Sequence, residues 1–295
     1  MNIKVMKTKE RDASPTFLTI DVEEYFHLFV INGTPPMSEW DSYPGRVEAN
    51  MKKILDLLDN HNIKATCFFL GYIAKKYPQL VQETHNRGHE IASHGMYHQL
   101  IYDMTPEQFL NDLSDSKHLL QDIISEEVIG YRSPSFSVSE KNPWLFDQLA
   151  SAGFKYDSSV FPAKRLDGGL TTKEVYPHWI KTKKGALYEF PISVVSILGK
   201  NICLFGGGYL RLFPKFLILN MSDRLRKKGN PVLYYIHPRE IDPDNPRLHF
   251  NFLQSLRFYI NIRTVIPKLE AIFQRGNFIT LGDFYRKELR AKNGK

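Results

Sequence analysis

The feature that most constrains this chain is a recurrence: short apolar runs that each end in a residue capable of acid, base or metal chemistry. Phe17-Leu18-Thr19-Ile20 leads into Asp21-Val22-Glu23-Glu24, and the run over residues 90–94 delivers Ser93-His94-Gly95-Met96-Tyr97-His98. Residues 128–131 hand over Arg132, residues 154–157 end at Asp157, and residues 231–236 end at His237. Runs of this length read as buried strands, and stretches between them carry helical spacing, as at Val47, Met51, Ile54, Leu57 and Leu58. Strands alternating with helices make an α/β fold. Polar groups gathered at one end of successive strands suit an active site on a barrel rim, where strand ends converge.

Further elements follow from local signals. Residues 46–60 are expected to be helical, and 63–70 a strand around Cys67. A helical stretch to Arg87 is closed by Gly88. Thr105-Pro106-Glu107-Gln108 has the form of a helix start running to about Ile124. Residues 143–152 and 214–228 read as helices, 187–192 as a strand, and Gly206-Gly207-Gly208 as a flexible turn. Residues 161–182 form an irregular excursion suited to substrate contacts. Residues 250–275 are helical with an interruption at Pro267, and a short segment follows at 278–281. No repeat or low-complexity linker divides the chain. It therefore reads as a tail, 1–15, and one domain, 16–295, with a C-terminal helical extension from about 246.

A hydrophobic content of 42% over 295 residues is enough for a sizeable core. The net charge of +7 favours anionic neighbours such as acidic glycans or a membrane surface, and no base-reading motif points to nucleic acid. Of the two cysteines, Cys67 lies in an apolar run and reads as a core thiol, so no disulfide framework is expected. Residues 1–15 lack the apolar segment of an export signal, and no window is suited to crossing a bilayer. The expected location is the cytoplasm, with the basic helix 214–228 a candidate for peripheral contact with the inner membrane.

His94 and His98, four positions apart, can grip one metal ion. With one carboxylate they leave coordination positions open on a divalent cation, and a spare carboxylate can act as a base on water activated there. This is a hydrolase pattern.

At Thr19–Glu24, Ser93–His98, Gly130–Phe136, Tyr156–Ser159 and Leu233–His237, in that order, the chain resembles the polysaccharide deacetylase family. The family is also called carbohydrate esterase family 4 or the NodB-homology domain, and the resemblance covers about residues 17–237. Gly206-Gly207-Gly208-Tyr209 and the tail from Pro238 resemble a subgroup associated with bacterial exopolysaccharide production. The resemblance implies a distorted, incomplete, seven-stranded TIM-like (β/α) barrel. It also implies hydrolysis of the acetamide of N-acetylated sugars with zinc or another divalent metal.

Where the family has two adjacent aspartates, this chain reads Asp21-Val22-Glu23-Glu24. Alternate strand residues share a face, which makes Asp21 the expected base and Glu23 the expected metal ligand, with Glu24 its competitor. The resemblance further implies His237 as general acid, Arg132 as the partner that orients Asp21, and Asp157 as the partner that orients His237. A backbone N–H near Phe136 would help hold the oxyanion. His27, Trp40, Tyr43, Glu189 and Tyr209 are candidate substrate neighbours, each equally suited to packing.

Three other readings use parts of this pattern. A cyclic amide hydrolysed without metal on the same fold would not need both histidines and a carboxylate. Iron(II) oxidation would leave the spare base, acid and arginine unexplained. An inactive glycan-binding protein would not need the complete set.

Overall fold

The first apolar run becomes β1 (Thr16–Val22), buried along its whole length, as a strand covered on both faces must be. The computed structural model describes residues 14–28, 33–163, 172 and 174–293. In chain order the next strands are β2 (Thr66–Phe69), β3 (Glu90–Ser93), β4 (Gly130–Tyr131), β5 (Tyr156–Asp157), β6 (His178–Thr182) and β7 (Gly185–Glu189). They are followed by β8 (Val195–Ile197), β9 (Lys200–Ile202) and β10 (Val232–Ile236). One eight-stranded sheet has the order β10-β1-β2-β3-β4-β5-β7-β6, while β8 and β9 form a separate hairpin.

Seven of the eight strands run parallel, and the edge strand β6 is antiparallel to β7. The two edges do not pair among the described residues, so the expected seven-stranded incomplete barrel is borne out, with β6 added. The sheet is strongly curved. Arg132, just past β4, reaches Asp21 on β1 at 2.7 Å although β2 and β3 lie between, a gap of roughly 14 Å in a flat sheet.

Helices cover the sheet through the periodic faces read above. α1 (Val47–Asn60) buries Val47, Met51, Ile54, Leu55 and Leu58. The next helical stretch is split into α2 (Gly71–Lys76) and α3 (Pro78–Asn86), because Pro78 cannot continue a helix but suits its first position. α4 (Pro106–Ile124) has the expected capping box: Gln108 N–H donates to Thr105 Oγ1 at 3.2 Å and Thr105 N–H to Gln108 Oε1 at 2.8 Å. α5 (Leu145–Ser151) follows β4.

The glycine triplet is not a flexible turn. Gly206 lies against the Tyr235 ring, where an added Cβ would come within 2.0 Å, and Gly207 opens α6 (Gly207–Leu212). α7 (Lys215–Lys227) precedes β10. In the C-terminal region α8 (Phe252–Tyr259) and α9 (Val265–Phe273) are separated at residues 260–264, not at Pro267. Pro267 sits in the first turn of α9, where an intrahelical N–H donor is not needed.

α10 (Leu281–Asn293) has no counterpart in the sequence reading. Its first N–H groups donate to Thr66 Oγ1 and Glu90 Oε2, both at 2.9 Å, so carboxylate and helix N-terminus complement each other at the start of β2 and β3. Cys67 and Cys203 are buried, and no disulfide forms among the described residues. Residues 1–13, and 164–171 and 173 of the excursion, lie outside the described residues. Among the described residues no helix is long and apolar enough to cross a membrane.

Candidate active site

Past β1 the backbone tightens, with Glu23 N–H donating to the Asp21 carbonyl at 3.1 Å. Asp21 Oδ2 and Glu23 Oε1 each lie 3.7 Å from His237 Nε2, so the strands β1 and β10 bring both carboxylates to one histidine. Glu24 does something different. Its carboxylate accepts the N–H groups of Arg46 and Val47 at 2.9 and 3.1 Å, which makes it an anionic cap for α1. Burial raises the Glu24 pKa although these donors oppose it.

The histidine segment is a loop with two left-handed residues, Gly95 at φ +75° and His98 at φ +57°. A Cβ on Gly95 would approach Asp112 Oδ2 to 2.8 Å, so glycine is needed both for the angle and for the contact. Asp112, from α4, accepts Met96 N–H at 3.0 Å and so shapes the loop between the histidines. Burial pushes its pKa up to about 6. The sequence carried no signal for Asp112, a helix carboxylate like many others.

His94 Nδ1 lies 2.9 Å from the Arg132 carbonyl. A carbonyl can only accept, so Nδ1 carries the hydrogen and Nε2 keeps its lone pair. Burial lowers the His94 pKa to about 4, against the pull of Asp21, which keeps the ring neutral. Burial pushes Glu23 upward, but His98, Arg239 and His237 outweigh it and hold the carboxyl well below its usual range. Ligand atoms of Glu23, His94 and His98 all lie within 4.8 Å of one another. Glu23 Oε2 lies 2.6 Å from His98 Nε2. A buried, converging set of an ionised carboxylate and two imidazoles fits a divalent cation.

Arg132 is wholly buried. It donates to Asp21 Oδ1 at 2.7 Å, Thr19 Oγ1 at 2.8 Å, the Ser158 carbonyl at 3.0 Å and Ser158 Oγ at 2.9 Å, and stacks over Phe68. Its expected pairing with Asp21 is therefore present. Arg239, which the sequence reading missed, donates to Glu23 Oε1 at 2.5 Å from the 3-10 turn Pro238–Ile241. Its place just after a strand end, beside His237, was the available signal.

Asp157 does not orient His237. It makes no ion pair with that histidine, and its neighbours are Ser159, whose Oγ donates to it at 2.5 Å, and Glu189. The sheet is an open arc, and β5 lies five strands from β10. The carboxylate beside His237 is Glu240, three residues on in the same turn. Its Oε2 accepts the His237 backbone N–H at 3.2 Å and lies 3.6 Å from Nδ1. Burial opposes ionisation of Glu240, but Arg211 overcomes it and brings the pKa to about 2.

The expected substrate neighbours are mostly packing. Phe136 N–H donates to the Ser133 carbonyl at 3.1 Å within its turn, and its ring packs against Phe161 and Tyr235. Trp40 is 1% exposed, with its ring 4.1 Å from buried His27, and cannot stack on a sugar in this arrangement. Tyr43 and Tyr209 are half-buried and pack on Phe26 and Phe213.

Glu189 is buried beside Asp157 and accepts Val160 N–H at 3.0 Å. Burial raises both carboxyls: Asp157 to about 6, although its contacts with Glu189 and Ser159 oppose the rise, and Glu189 well above its usual range with the Asp157 charge adding to the effect. An unfolded chain releases these protons near pH 4, whereas the fold must retain them or bury a charge. Stability from this pair is thus highest below pH 4 and falls as pH rises through 6 and beyond. Glu189→Gln is expected to be more stable than wild type at pH 8, with the difference vanishing near pH 4. Thermal unfolding across that range checks this, and parallel Tm curves for the two proteins would refute it.

Residues 37–156 match the family described as polysaccharide deacetylase, and residues 158–286 match a domain of unknown function, DUF3473. β5 and β7, which pair, lie in different matched segments, so the sheet runs across both. A peptidoglycan-N-acetylglucosamine deacetylase of Bacillus cereus is 28% identical over 116 residues, 39% of this chain and 41% of that protein. The chain thus spans less than half the length of that relative. A probable polysaccharide deacetylase of Pseudomonas aeruginosa superposes with a TM-score of 0.61 at 17% identity, over 92% of this chain and 89% of the other. The PuuE allantoinase superposes at 0.60 with 15% identity, over 94% and 91% of the two chains. These two structural likenesses concern the fold alone. The polysaccharide deacetylase match at residues 37–156 and the DUF3473 match at residues 158–286 thus both supply strands to one open parallel sheet.

Proposed function

We propose that the protein is a metal-dependent hydrolase that removes N-acetyl groups from N-acetylhexosamine units of a bacterial polysaccharide or its precursor, in exopolysaccharide production. The observation that carries this reading is the convergence of Asp21, Glu23 and His237 beside His94 and His98. Glu23, His94 and His98 would hold the cation, and zinc suits two imidazoles and a carboxylate with positions left open. Bound there, it supplies a Lewis acid that polarises the acetamide carbonyl and lowers the pKa of water.

Asp21, oriented by Arg132, takes the proton of the attacking water. His237 delivers a proton to the departing amine, its ring oriented by Glu240. Arg239 keeps Glu23 ionised and fixed in direction. A non-sugar cyclic amide is the alternative substrate on this fold, but the buried histidine pair and Glu23 favour the metal-dependent reaction.

Acetate release and bound metal, measured together on a panel of N-acetylated oligosaccharides, test the proposal. Acetate should be released with about one equivalent of metal per chain, be lost on chelation and return with zinc. Metal-loaded protein that releases acetate from no member of the panel would overturn it.

A further inference from the structure

Helix α8 is amphipathic the wrong way round for a helix that ends its business in the protein core. Phe252, Leu253 and Leu256 are 79, 69 and 48% exposed, and no residue of the helix is fully buried. At 100° per residue these three side chains occupy an outward stripe roughly 100° wide. The other side of the helix holds it to the body: Phe258 packs on Phe250 and meets the Arg239 guanidinium at 5.8 Å. The adjoining α6–α7 corner, bonded to α8 through Arg211 Nη2 and the Arg257 carbonyl at 2.9 Å, exposes Leu212 and Phe216 as well.

Charge accompanies this apolar surface. Residues 207–222 and 246–269 contain no aspartate or glutamate. They contribute the exposed cations Lys215, Arg247, Arg257 and Arg263, none of which is in an ion pair among the described residues. Protruding aromatic and aliphatic side chains ringed by unneutralised cations match the two attractions of an anionic bilayer surface, apolar insertion and headgroup charge.

We propose that α8 and the α6–α7 corner seat the protein on an anionic phospholipid bilayer. The contact differs from the one expected at residues 214–228, since of α7 only the first turn joins the apolar surface. The stripe lies about one helix diameter, roughly 10 Å, from Arg239, so seating it holds the Glu23–His237 cluster at headgroup level. Resting on the deacetylase reading, this deepens it: the substrate is a glycan held at the membrane, not one free in bulk solution.

Sedimentation of the full chain with vesicles tests the surface without using catalysis. Wild type should bind phosphatidylglycerol–phosphatidylethanolamine vesicles, bind phosphatidylcholine vesicles weakly, and be released by salt. The triple variant Phe252→Ser, Leu253→Ser, Leu256→Ser should bind at least about tenfold more weakly, with an unchanged circular dichroism spectrum and unchanged acetate release from a soluble oligosaccharide. Arg257→Ala with Arg263→Ala should weaken binding and flatten its salt dependence. Failure of wild type to bind, or equal binding by the triple variant, overturns the proposal. So does a dimeric wild type that the triple variant converts to a monomer without any change in vesicle binding, which would make a second copy the occupant. Vesicle binding by a wild type that releases no acetate would reject the deacetylase reading and leave the surface standing.

Discussion

Asp21→Asn is expected to lower kcat on an N-acetylated oligosaccharide by about 10²–10⁴-fold, the usual range for losing a positioned general base, while metal stays bound. Asparagine has nearly the same shape, and its amide oxygen can still accept from Arg132 Nη1, which now lies 2.7 Å from Asp21 Oδ1. It cannot take a proton from water. The substitution also removes a negative charge beside a wholly buried guanidinium. Breaking such a pair costs about 3–5 kcal/mol in typical cases, so unfolding must be followed alongside rate. Metal content, circular dichroism and kcat on one preparation separate lost chemistry from lost fold. Full activity in Asp21→Asn would overturn the assigned mechanism. His237→Ala supplies the complement: its defect should be smaller for aryl acetates, whose leaving groups need little protonation, than for amides.

The second large effect distinguishes the two adjacent glutamates. Glu23→Gln replaces an ionised donor with a neutral amide in a buried cluster, and metal affinity is expected to fall at least about hundredfold. Loss of an outer partner of a ligand already costs 10–100-fold. Glu24→Gln should retain the metal, because that carboxylate accepts the Arg46 and Val47 N–H groups at the start of α1. Its cost should appear as roughly 1 kcal/mol of stability from a weaker helix cap. His94→Ala with His98→Ala should remove both metal and activity while the fold survives. Metal analysis after dialysis checks all three variants. Retention of metal in Glu23→Gln together with its loss in Glu24→Gln would exchange the roles.

Much of the architecture was legible because the relevant signals are local. Apolar runs specify buried strands, Thr105 and Gln108 specify the start of α4, and polar residues at strand ends specify where chemistry collects. The missed elements lacked such signals or carried competing ones. α10 is polar over most of its length, and its start is stabilised by Thr66 and Glu90, more than 190 residues away in sequence. The glycine triplet resembles a flexible turn until Tyr235 is seen to occupy the space a side chain would need.

By itself the sequence determined an α/β chain with Asp21, Glu23, His94, His98, Arg132 and His237 at the ends of strand-like runs. Only the tertiary structure decided which of those ends meet. Curvature brings Arg132 from β4 to Asp21 on β1 and to Ser158 just past β5, yet Glu240 stands beside His237 while Asp157 lies against Ser159 and Glu189. The position of α1 claims Glu24, α4 shapes the histidine loop through Asp112, and the turn after β10 sends Arg239 to Glu23. Hydrophobic periodicity is written in neighbouring residues, whereas a hydrogen-bond partner or a charge pair depends on distances that packing alone sets.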